Sequence, residues 1–550
     1  MWSQNYQPLG SLGVSALLSA VPVAVMLYLL GIARKRAWVA GLMGCASALL
    51  IALFAYRMPW SLAASSLLYG AAYGLLPIGW IVFTALLLYR LAVDTGQFQI
   101  IKDSIGHLTS DPYMQALVIA FAFGAFIEGA SGFGTPVAVA SAMLAGLGMA
   151  PFEAAAICLL ANTAPVAFGA IGTPIVGLQS VTNLPILDLS ADVGRLCAPL
   201  ALFVPPYVIG VMGGKKGLAR AGGAALICGA VFAVVQFLVS SFVNPYLTAI
   251  LSSLAAMGAM VVVCIFRRNP GDQGSNGAHH SAGKILLAWS PYIFLVIFVL
   301  VLNGDQIVLP KPFDVLWPTA KFAALKAFLN HATFVFGWPG LHNLVQKMPP
   351  VVKAQSPYGA SYTFNPLTTS GTAALYAVFA SAILLRVPPR KLANCFWLTM
   401  KQLALPTLTI ASVLALAYLM NYSGATATLG LTLAATGPSF PFFSALLGWI
   451  GVFLTGSDTS ANALFGNLQV VTANRLGFNP VLMASSNSAG GVMGKMISLQ
   501  SIAVAGAATG LTRQEEAQLM RFTVKHSIFL AAMAGLVTLF YAYVMPGWAR

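Results

Sequence analysis

The sequence predicts an all-α, polytopic membrane protein with about 12 to 14 transmembrane helices, in two structurally repeated halves that contain re-entrant or unwound segments. Three observations support this fold class. Hydrophobic residues make up 59% of the 550 residues and charged residues only 7%, too few charges to cover a water-soluble domain. Many apolar runs reach the ~20 residues of a spanning helix. Two glycine-rich tracts inside such runs each carry a single carboxylate.

Apolar runs of spanning length occur from the beginning to the end of the chain. The first run has no basic segment before it and no small-residue cleavage site after it, so we expect it to remain as the first helix. The runs of ~20 residues that most clearly qualify are 11–32, 37–55, 219–242, 246–266, 285–302 and 526–546.

Basic residues outnumber acidic residues by 28 to 13, and many of them lie in short connections between apolar runs. Examples are the segments 34–36, 215–220 and 267–268. This distribution is typical of the cytoplasmic loops of membrane proteins, and it favours a lipid bilayer over nucleic acid as the partner. If segment 34–36 is cytoplasmic, the N-terminus lies outside.

A polar segment divides the chain into two membrane halves. We predict a first half at residues 1–266, a hydrophilic linker at 267–284 and a second half at 285–550. The linker contains His279 and His280, but no further metal ligand is near them in the sequence, so we interpret it as a solvated loop.

The second half includes a proline-rich stretch at about 303–365 that has few apolar runs of spanning length. We interpret it as an extramembrane loop with short or amphipathic helices. The six cysteines are isolated in apolar runs, without the pairing that is typical of metal sites. We therefore predict neither a metal nor a cofactor.

Both halves contain the same succession of signals, which predicts a duplicated unit. In each half an Asn, a hydroxyl residue and an Ala follow the first matched glycine, after 38 residues at Asn162 and after 36 at Asn487. In many secondary transporters such halves each contribute a broken helix, and the substrate binds between them. Small residues that only serve helix packing are the alternative. The positions matched at a constant offset of 327 are Gly124, Phe126 and Gly129 with Gly451, Phe453 and Gly456.

Glu128 and Asp458 are the candidate proton-coupling residues. Glu128 is the only residue charged at neutral pH between residues 114 and 152, and Asp458 is the only one between 402 and 474. Burying a charged carboxylate inside a membrane costs free energy, and desolvation favours its protonated form. Such a group can therefore take up and release a proton. The alternative is a carboxylate that is permanently paired or hydrogen-bonded.

The candidate substrate-binding groups surround these carboxylates. Glycines and Pro136 should break the helix near Glu128, and freed backbone N–H groups at a helix N-terminus attract anions. Hydroxyl and amide side chains would bind a small polar solute, although they also join helices. These candidates are Ser131, Gly132, Thr135, Asn162, Thr163, Ser457, Thr459, Ser460, Asn487 and Ser488.

Arg195, Lys401 and Lys495 are the candidate cations for a substrate carboxylate, and of these we predict Arg195 and Lys495 as binding residues. Lys495 is the only charge between residues 476 and 512, so it lies deepest in an apolar context. A structural pair with Asp458 or with Glu128 is an equally good interpretation of this lysine. Arg195 has an alternative partner nearby in Asp192.

Several blocks in the same order resemble the bacterial L-lactate permease family over nearly the whole chain. They are Gly124-Ala-Phe-Ile-Glu-Gly-Ala-Ser-Gly-Phe-Gly, Asn162-Thr-Ala-Pro-Val-Ala-Phe-Gly-Ala, Asn421-Tyr-Ser-Gly, Phe453-Leu-Thr-Gly-Ser-Asp-Thr-Ser-Ala-Asn-Ala-Leu-Phe, Gly490-Gly-Val-Met-Gly-Lys-Met-Ile-Ser and Phe522-Thr-Val-Lys-His.

The resemblance implies a multi-pass symporter of the bacterial cytoplasmic (inner) membrane that imports L-lactate and related small 2-hydroxymonocarboxylates, such as glycolate, together with a proton. It also implies the inverted repeats of the ion-transporter superfamily. Leu499 stands where the family pattern leads us to expect a proline, which would also have matched Pro174 of the first repeat. The second unwound segment could therefore differ in local geometry.

Three other functions are compatible with parts of the sequence. A sodium-coupled carboxylate transporter is the nearest alternative, because hydroxyls, amides and Asp458 could also bind sodium. A passive channel lacks the expected ring of repeated charges. Gly129-Ala-Ser-Gly matches a short pattern of intramembrane serine proteases, but only His526 lies beside a strong span as a possible base for Ser131. We therefore do not expect an enzyme.

Overall fold

The computed structural model describes residues 1–106, 108–132, 134–267, 280–307 and 317–548. Most of the predicted linker, residues 268–279, lies outside this part of the chain, as does His279. Helices dominate the first half. Their bounds are α1 Leu12–Gly31, α2 Ala37–Phe54, α3 Trp60–Tyr73, α4 Trp80–Asp94, α5 Gln97–Gly106, α6 Pro112–Gln115, α7 Gly124–Ala130, α8 Thr135–Gly146, α9 Pro151–Ala161, α10 Gly169–Thr182, α11 Ile186–Phe242 and α12 Thr248–Arg267.

The second half is also mainly helical. Short π-helical and 3-10 segments join several of the α-helices, among them Gly74–Gly79, Ala116–Phe123, Val166–Phe168, Gly304–Gln306, Asn330–Ala332, Ala434–Ser439, Lys495–Ile497 and Pro546–Trp548. The α-helices are α13 Ala282–Asn303, α14 Thr319–Leu329, α15 Ser370–Leu384, α16 Pro389–Ser423, α17 Ala425–Leu433, α18 Phe440–Thr455, α19 Asp458–Leu476, α20 Pro480–Gly494, α21 Leu499–Thr509 and α22 Arg513–Tyr543.

The described residues contain 10 helices that are long and apolar enough to cross a membrane, or up to 12 if each of two bent pairs is one span. One of these helices, α11, is itself a hairpin. Its 57 residues would extend about 85 Å, far more than the ~30 Å of a bilayer core, and Gly214 breaks it with a φ of 55°. Ser190 near its start donates a hydrogen bond to the Ser240 carbonyl near its end. Counting α11 as two spans adds one to each total, giving 11 to 13 spans, which overlaps the predicted 12 to 14.

The broken helices that the sequence predicts are present in both halves. In the first half α7 and α8 are separated by a short break, and α9 and α10 are joined by residues 162–168 at a bend of 67°. In the second half α18 and α19 are separated at Gly456 and Ser457, and the segment from α20 to the 3-10 turn meets α21 at a bend of 42°. The order of broken helices is therefore the same in both halves.

Two small sheets lie outside the helices. Strand β1 Trp2–Ser3 pairs in parallel with β3 Val345–Lys347, which pairs antiparallel with β4 Ser356–Pro357. Strands β2 Phe334–Gly337 and β5 Ser361–Phe364 form an antiparallel pair. The predicted loop at about 303–365 thus contains α14 and four strands, although residues 308–316 lie outside the described part. Strands of two to four residues are too short for alternation to predict them.

The two ends of α1 define two faces of the molecule. The strand face carries β1 and β3, and the basic face carries Arg34, Lys35 and Arg36, which follow α1. The 20 residues of α1 extend about 30 Å, the thickness of a bilayer core. The positive-inside bias predicts that the basic face is the cytoplasmic one.

Candidate functional site

A cavity of about 850 Å³ lies where the broken helices of both halves meet. Glu128 of α7, Asp458 of α19 and Lys495 after α20 all line it. Arg34, Lys35 and Arg36 also line it, so we describe this central cavity as open toward the basic face. Charged groups from distant parts of the chain thus line one cavity among the helices.

Glycines produce the break between α7 and α8. Gly132 and Gly134 have φ values of 62° and 81°, in the left-handed region that disfavours side chains. Pro136 follows in the first turn of α8, where its missing N–H is not needed. The break brings Gly132, Gly134 and Thr135 to the cavity wall. The predicted interruption beside Glu128 is therefore present.

Glu128 and Lys495 form a buried ion pair across the two halves. The Lys495 Nζ atom lies 2.6 Å from Glu128 Oε1, and the side chains are 11% and 3% exposed. Asn162 donates a hydrogen bond of 3.1 Å to the other oxygen, Oε2. Removing one partner of such a pair leaves an uncompensated charge in a poorly solvated site. Of the two partners that the sequence allowed for Lys495, the structure selects Glu128.

Asp458 occupies the start of α19 in a different environment. Ser488 donates a hydrogen bond of 2.6 Å to its Oδ2 atom, and Asn462 donates to the same atom at 3.4 Å. Its Oδ1 atom is buried without a hydrogen-bond partner among the described residues. Asp458 thus combines burial with one unused acceptor, which is the condition for accepting a proton or a cation.

Two glycines leave room for the carboxylates. A Cβ atom at Gly169, which begins α10, would lie 2.6 Å from Glu128 Oε1. A Cβ atom at Gly491 in α20 would collide with Asp458 Oδ1. Helices α10 and α20 can therefore approach the two carboxylates only because these positions carry no side chain.

Helix N-termini from both halves also face the cavity. Gly169 at the start of α10, Ser457 before α19, and Gln500 and Ser501 in the first turn of α21 all line it. Ala170 and Ile171 have φ values of 44° and 55°, an uncommon backbone conformation for residues with side chains. Such N-termini attract anions through free N–H groups and the helix dipole.

Eight of the predicted site residues line the cavity. Six are binding candidates and the other two are the proton-coupling candidates: Gly132, Thr135, Ser457, Thr459, Ser460 and Lys495, with Glu128 and Asp458. Asn162 and Ser488 lie immediately behind it and bind its two carboxylates.

Four other predicted residues do not line this cavity. Ser131 and Thr163, which follow α7 and α9, donate to the carbonyls of Ile127 and Leu160 in those helices. Asn487 belongs to an amide network with Asn462 and Gln469. Arg195 pairs with Asp192 at 2.7 Å and donates to the carbonyl of Trp548, so its local pairing is the interpretation that the geometry favours.

Two contributors to the site were not predicted. Asn462 links the halves, because its amide donates to the Pro174 carbonyl of α10 at 3.1 Å and to Ser488 at 3.1 Å. Gly169 gives Glu128 its space. The signal for Asn462 was its position four residues after Asp458, which places both on the same side of a helix. Gly169 could have been found because it is part of the family-like block that begins at Asn162.

The protease interpretation is not supported by the geometry. Ser131 donates to the Ile127 carbonyl within its helix, and His526 forms a 2.6 Å hydrogen bond with Tyr207. The described residues also contain no group of three or more His, Cys, Asp or Glu that could hold a metal ion. The site consists of a buried ion pair, a second carboxylate and hydroxyl groups around a cavity.

Comparison with known proteins agrees with this description. A family model described as L-lactate permease matches residues 15–545. Glycolate permease GlcA of Escherichia coli (strain K12) is 42% identical, and the L-lactate permease of Bacillus subtilis (strain 168) is 44% identical. The L-lactate permease of Escherichia coli (strain K12) is 41% identical. Each alignment covers 99% of this chain and 99% of the relative.

Among solved structures, Neisseria gonorrhoeae MtrF, described as illuminating a class of antimetabolite efflux pumps, aligns with a TM-score of 0.49 and 12% identity. That alignment covers 94% of this chain and 97% of MtrF. The match to the family model and the full-length relatives identify a transporter rather than an enzyme, with multiple spans in the bacterial inner membrane. The chain belongs to the L-lactate permease family.

Proposed function

We propose that this protein imports L-lactate and related small 2-hydroxymonocarboxylates, such as glycolate, together with a proton. The names of the full-length relatives support this substrate class. The observation that carries the coupling proposal is the buried pair of Glu128 and Lys495 on the wall of the central cavity. In this pair, Glu128 is the proposed site for the proton and Lys495 is the proposed site for the substrate carboxylate, and the two side chains are in direct contact.

The pair suggests how the proton and the anion bind together. When Glu128 accepts a proton it releases Lys495, whose ammonium can then bind the substrate carboxylate. The site has the same net charge before and after, because one proton and one anion enter together. Binding of either one alone would leave an uncompensated buried charge, which costs several kcal/mol. The energetic penalty for single binding is therefore the proposed basis of coupling.

The charge balance also fits the membrane potential. Moving one anion inward against an interior-negative potential costs about 2.3 kcal/mol per 100 mV, and a proton carried with it removes this term. Asp458 is the second proposed proton site, because its Oδ1 atom has no hydrogen-bond partner in the described part of the chain. Thr135, Thr459 and Ser460 line the cavity, and their hydroxyl groups are our candidates for binding the 2-hydroxyl group of the substrate.

We also infer that the two repeats are inverted. Helix α10 runs from the central cavity toward the strand face, because Asn183 at its end shares a second, smaller cavity with Lys347 of β3. Its counterpart α21 also starts at the central cavity but runs toward the basic face. Gly506, near the end of α21, lies against Glu516, and Glu516 lines the central cavity together with the basic segment 34–36. Opposite directions of equivalent helices support inverted repeats around a shared central site.

The test is uptake of labelled L-lactate, D-lactate and glycolate into proteoliposomes under an imposed pH gradient, with and without sodium. We expect accumulation driven by an inward proton gradient in sodium-free buffer, and external alkalinisation when unlabelled substrate is added. Glu128→Gln should lose uphill accumulation. Wild-type protein that takes up none of the three acids would contradict the substrate proposal.

Sodium coupling is the second candidate function, favoured by the free Oδ1 atom of Asp458 beside several hydroxyl groups. The same proteoliposome experiment distinguishes sodium coupling from proton coupling. Uptake that disappears without sodium and is insensitive to a protonophore would replace the proton by sodium. Full uphill uptake by the Glu128→Gln variant would instead assign the proton to another group, with Asp458→Asn as the next variant.

A further inference from the structure

The second cavity lies on the opposite side of the barrier from the central cavity. It has a volume of about 290 Å³ and is lined by Lys347, Asn183, Asn421 and several tyrosines. Helices α10 and α16 line both cavities: Thr173 and Ile410 face the central one, whereas Val181 and Tyr418 face the second. In each helix the two positions are about 12 Å apart, which gives the thickness of the barrier.

This cavity belongs to the strand face. Lys347 is the last residue of β3, which pairs with the N-terminal strand β1, and α1 separates that strand from Arg34 and the basic face. Since the basic face is assigned to the cytoplasm, the second cavity opens to the outside, where an imported solute arrives.

Lys347 supplies the positive charge of this cavity. Its side chain is half-buried, and its Nζ atom lies 3.9 Å from the centre of the Tyr358 ring. No carboxylate of the described residues forms a salt bridge with it. Burial lowers the pKa of its ammonium group, which indicates poor solvation. A cation held by an aromatic ring and without an acidic partner is a binding position for an anion.

The walls of the cavity are held in place by hydrogen bonds to the backbone. Tyr418 donates to the Ser180 carbonyl of α10, Tyr422 donates to the Gly359 carbonyl, and the Tyr358 and Tyr422 rings stack with centroids 4.2 Å apart. These hydroxyls are therefore occupied, and Lys347 is left as the charged donor. A small anion fits this volume and this charge, whereas a large solute does not.

We propose that the second cavity is an external binding site for small carboxylate anions, with Lys347 as their charge partner. It receives the substrate before the barrier formed by α10 and α16 opens. This inference rests on the proposed function for the identity of the anion, and it adds a binding step that the central site does not provide. The site raises the local concentration of the anion at the closed entrance.

The kinetic test uses Lys347→Gln, Lys347→Arg and, as the matched control, Lys353→Gln, which removes an exposed lysine six residues away. In right-side-out vesicles we expect Lys347→Gln to raise the KM for uptake about tenfold with Vmax nearly unchanged. The KM of Lys347→Arg should remain close to that of the wild type, and the KM of Lys353→Gln should equal that of the wild type. The half-saturation concentration for efflux should not change. An unchanged KM for uptake in Lys347→Gln would overturn the proposal.

A binding test makes the inference independent of transport. Gly359 lines the cavity, and a side chain there has no neighbour closer than 3.8 Å, so Gly359→Cys can be labelled with an impermeant maleimide. L-lactate and acetate should slow labelling, and neutral lactamide should not. This protection should vanish in the Gly359→Cys/Lys347→Gln variant. Absence of protection in Gly359→Cys overturns the external site, whereas protection without uptake by the wild type contradicts only the proposed function.

Discussion

At the level of single residues, the ion pair of Glu128 and Lys495 joins the two halves of the chain inside the membrane region. We expect Lys495→Gln to abolish uptake and to lower the free energy of unfolding by about 3 kcal/mol, because the Glu128 carboxylate loses its charge partner. The double variant Glu128→Gln/Lys495→Gln should be more stable than Lys495→Gln alone, since it buries no unpaired charge. Thermal unfolding of the solubilised protein measures both effects.

Lys401→Gln is the matched control for this pair. Lys401, the third candidate cation, is exposed and does not line the central cavity, so its loss leaves no buried charge behind. It should change neither stability nor uptake. A double variant that is less stable than both single variants would show that the buried pair is not the source of the effect.

Gly169 is expected to be as critical as the charged residues. In Gly169→Ala the new methyl group would lie 2.6 Å from Glu128 Oε1, so the carboxylate must leave its position beside Lys495. We expect uptake to fall at least about tenfold, as for the misplacement of a reacting group. Gly258→Ala in α12 is the control, because its methyl group meets no atom within 4 Å. Equal uptake by both variants would contradict this reasoning.

At the level of elements, the N-terminal segment stabilises the end of α16. The buried Gln4 amide donates to the carbonyls of Asn421 and Tyr422 at 2.9 Å each, and these carbonyls belong to the last turn of the helix. Gln4→Leu would leave both without this donor, so we expect a loss of about 1–3 kcal/mol of stability. Thermal unfolding would measure it.

Gln7→Leu provides the control for this capping contact, since Gln7 is an exposed residue of the same segment. A Gln4→Leu variant with the melting temperature of the wild type would show that the end of α16 does not depend on the N-terminus. The expected shift is a few degrees, because about 1 kcal/mol corresponds to roughly 2–4 °C in large domains.

At the level of the whole molecule, we expect the central cavity to open toward the cytoplasm, because the basic segment 34–36 lines it. Gln500 lines it and is exposed, whereas Gly359 lines the second cavity on the opposite face. With Cys45 and Cys264 replaced by Ala, a cysteine introduced by Gln500→Cys should react with an impermeant maleimide in inside-out vesicles only. One introduced by Gly359→Cys should react in right-side-out vesicles only. Labelling of both from the same side would contradict the assigned orientation.

Local sequence was sufficient for the class of protein and for the positions of the breaks. Gly132, Gly134 and Pro136 interrupt a helix wherever it packs, because their effect is confined to their own backbone. Hydropathy likewise acts within one span, so most membrane helices could be predicted without knowledge of their neighbours. The strands could not be predicted in this way, because two to four residues are too few to show an alternation of apolar and polar side chains.

The sequence by itself determined a polytopic transporter with isolated carboxylates at two helix breaks, and its blocks identified the family. Only the tertiary structure decided that Lys495 pairs with Glu128, that Asn462 links the halves and that Arg195 lies away from the cavity. The physical reason is separation along the chain. Glu128 and Lys495 are 367 residues apart, so their contact depends on how entire helices pack rather than on any local pattern.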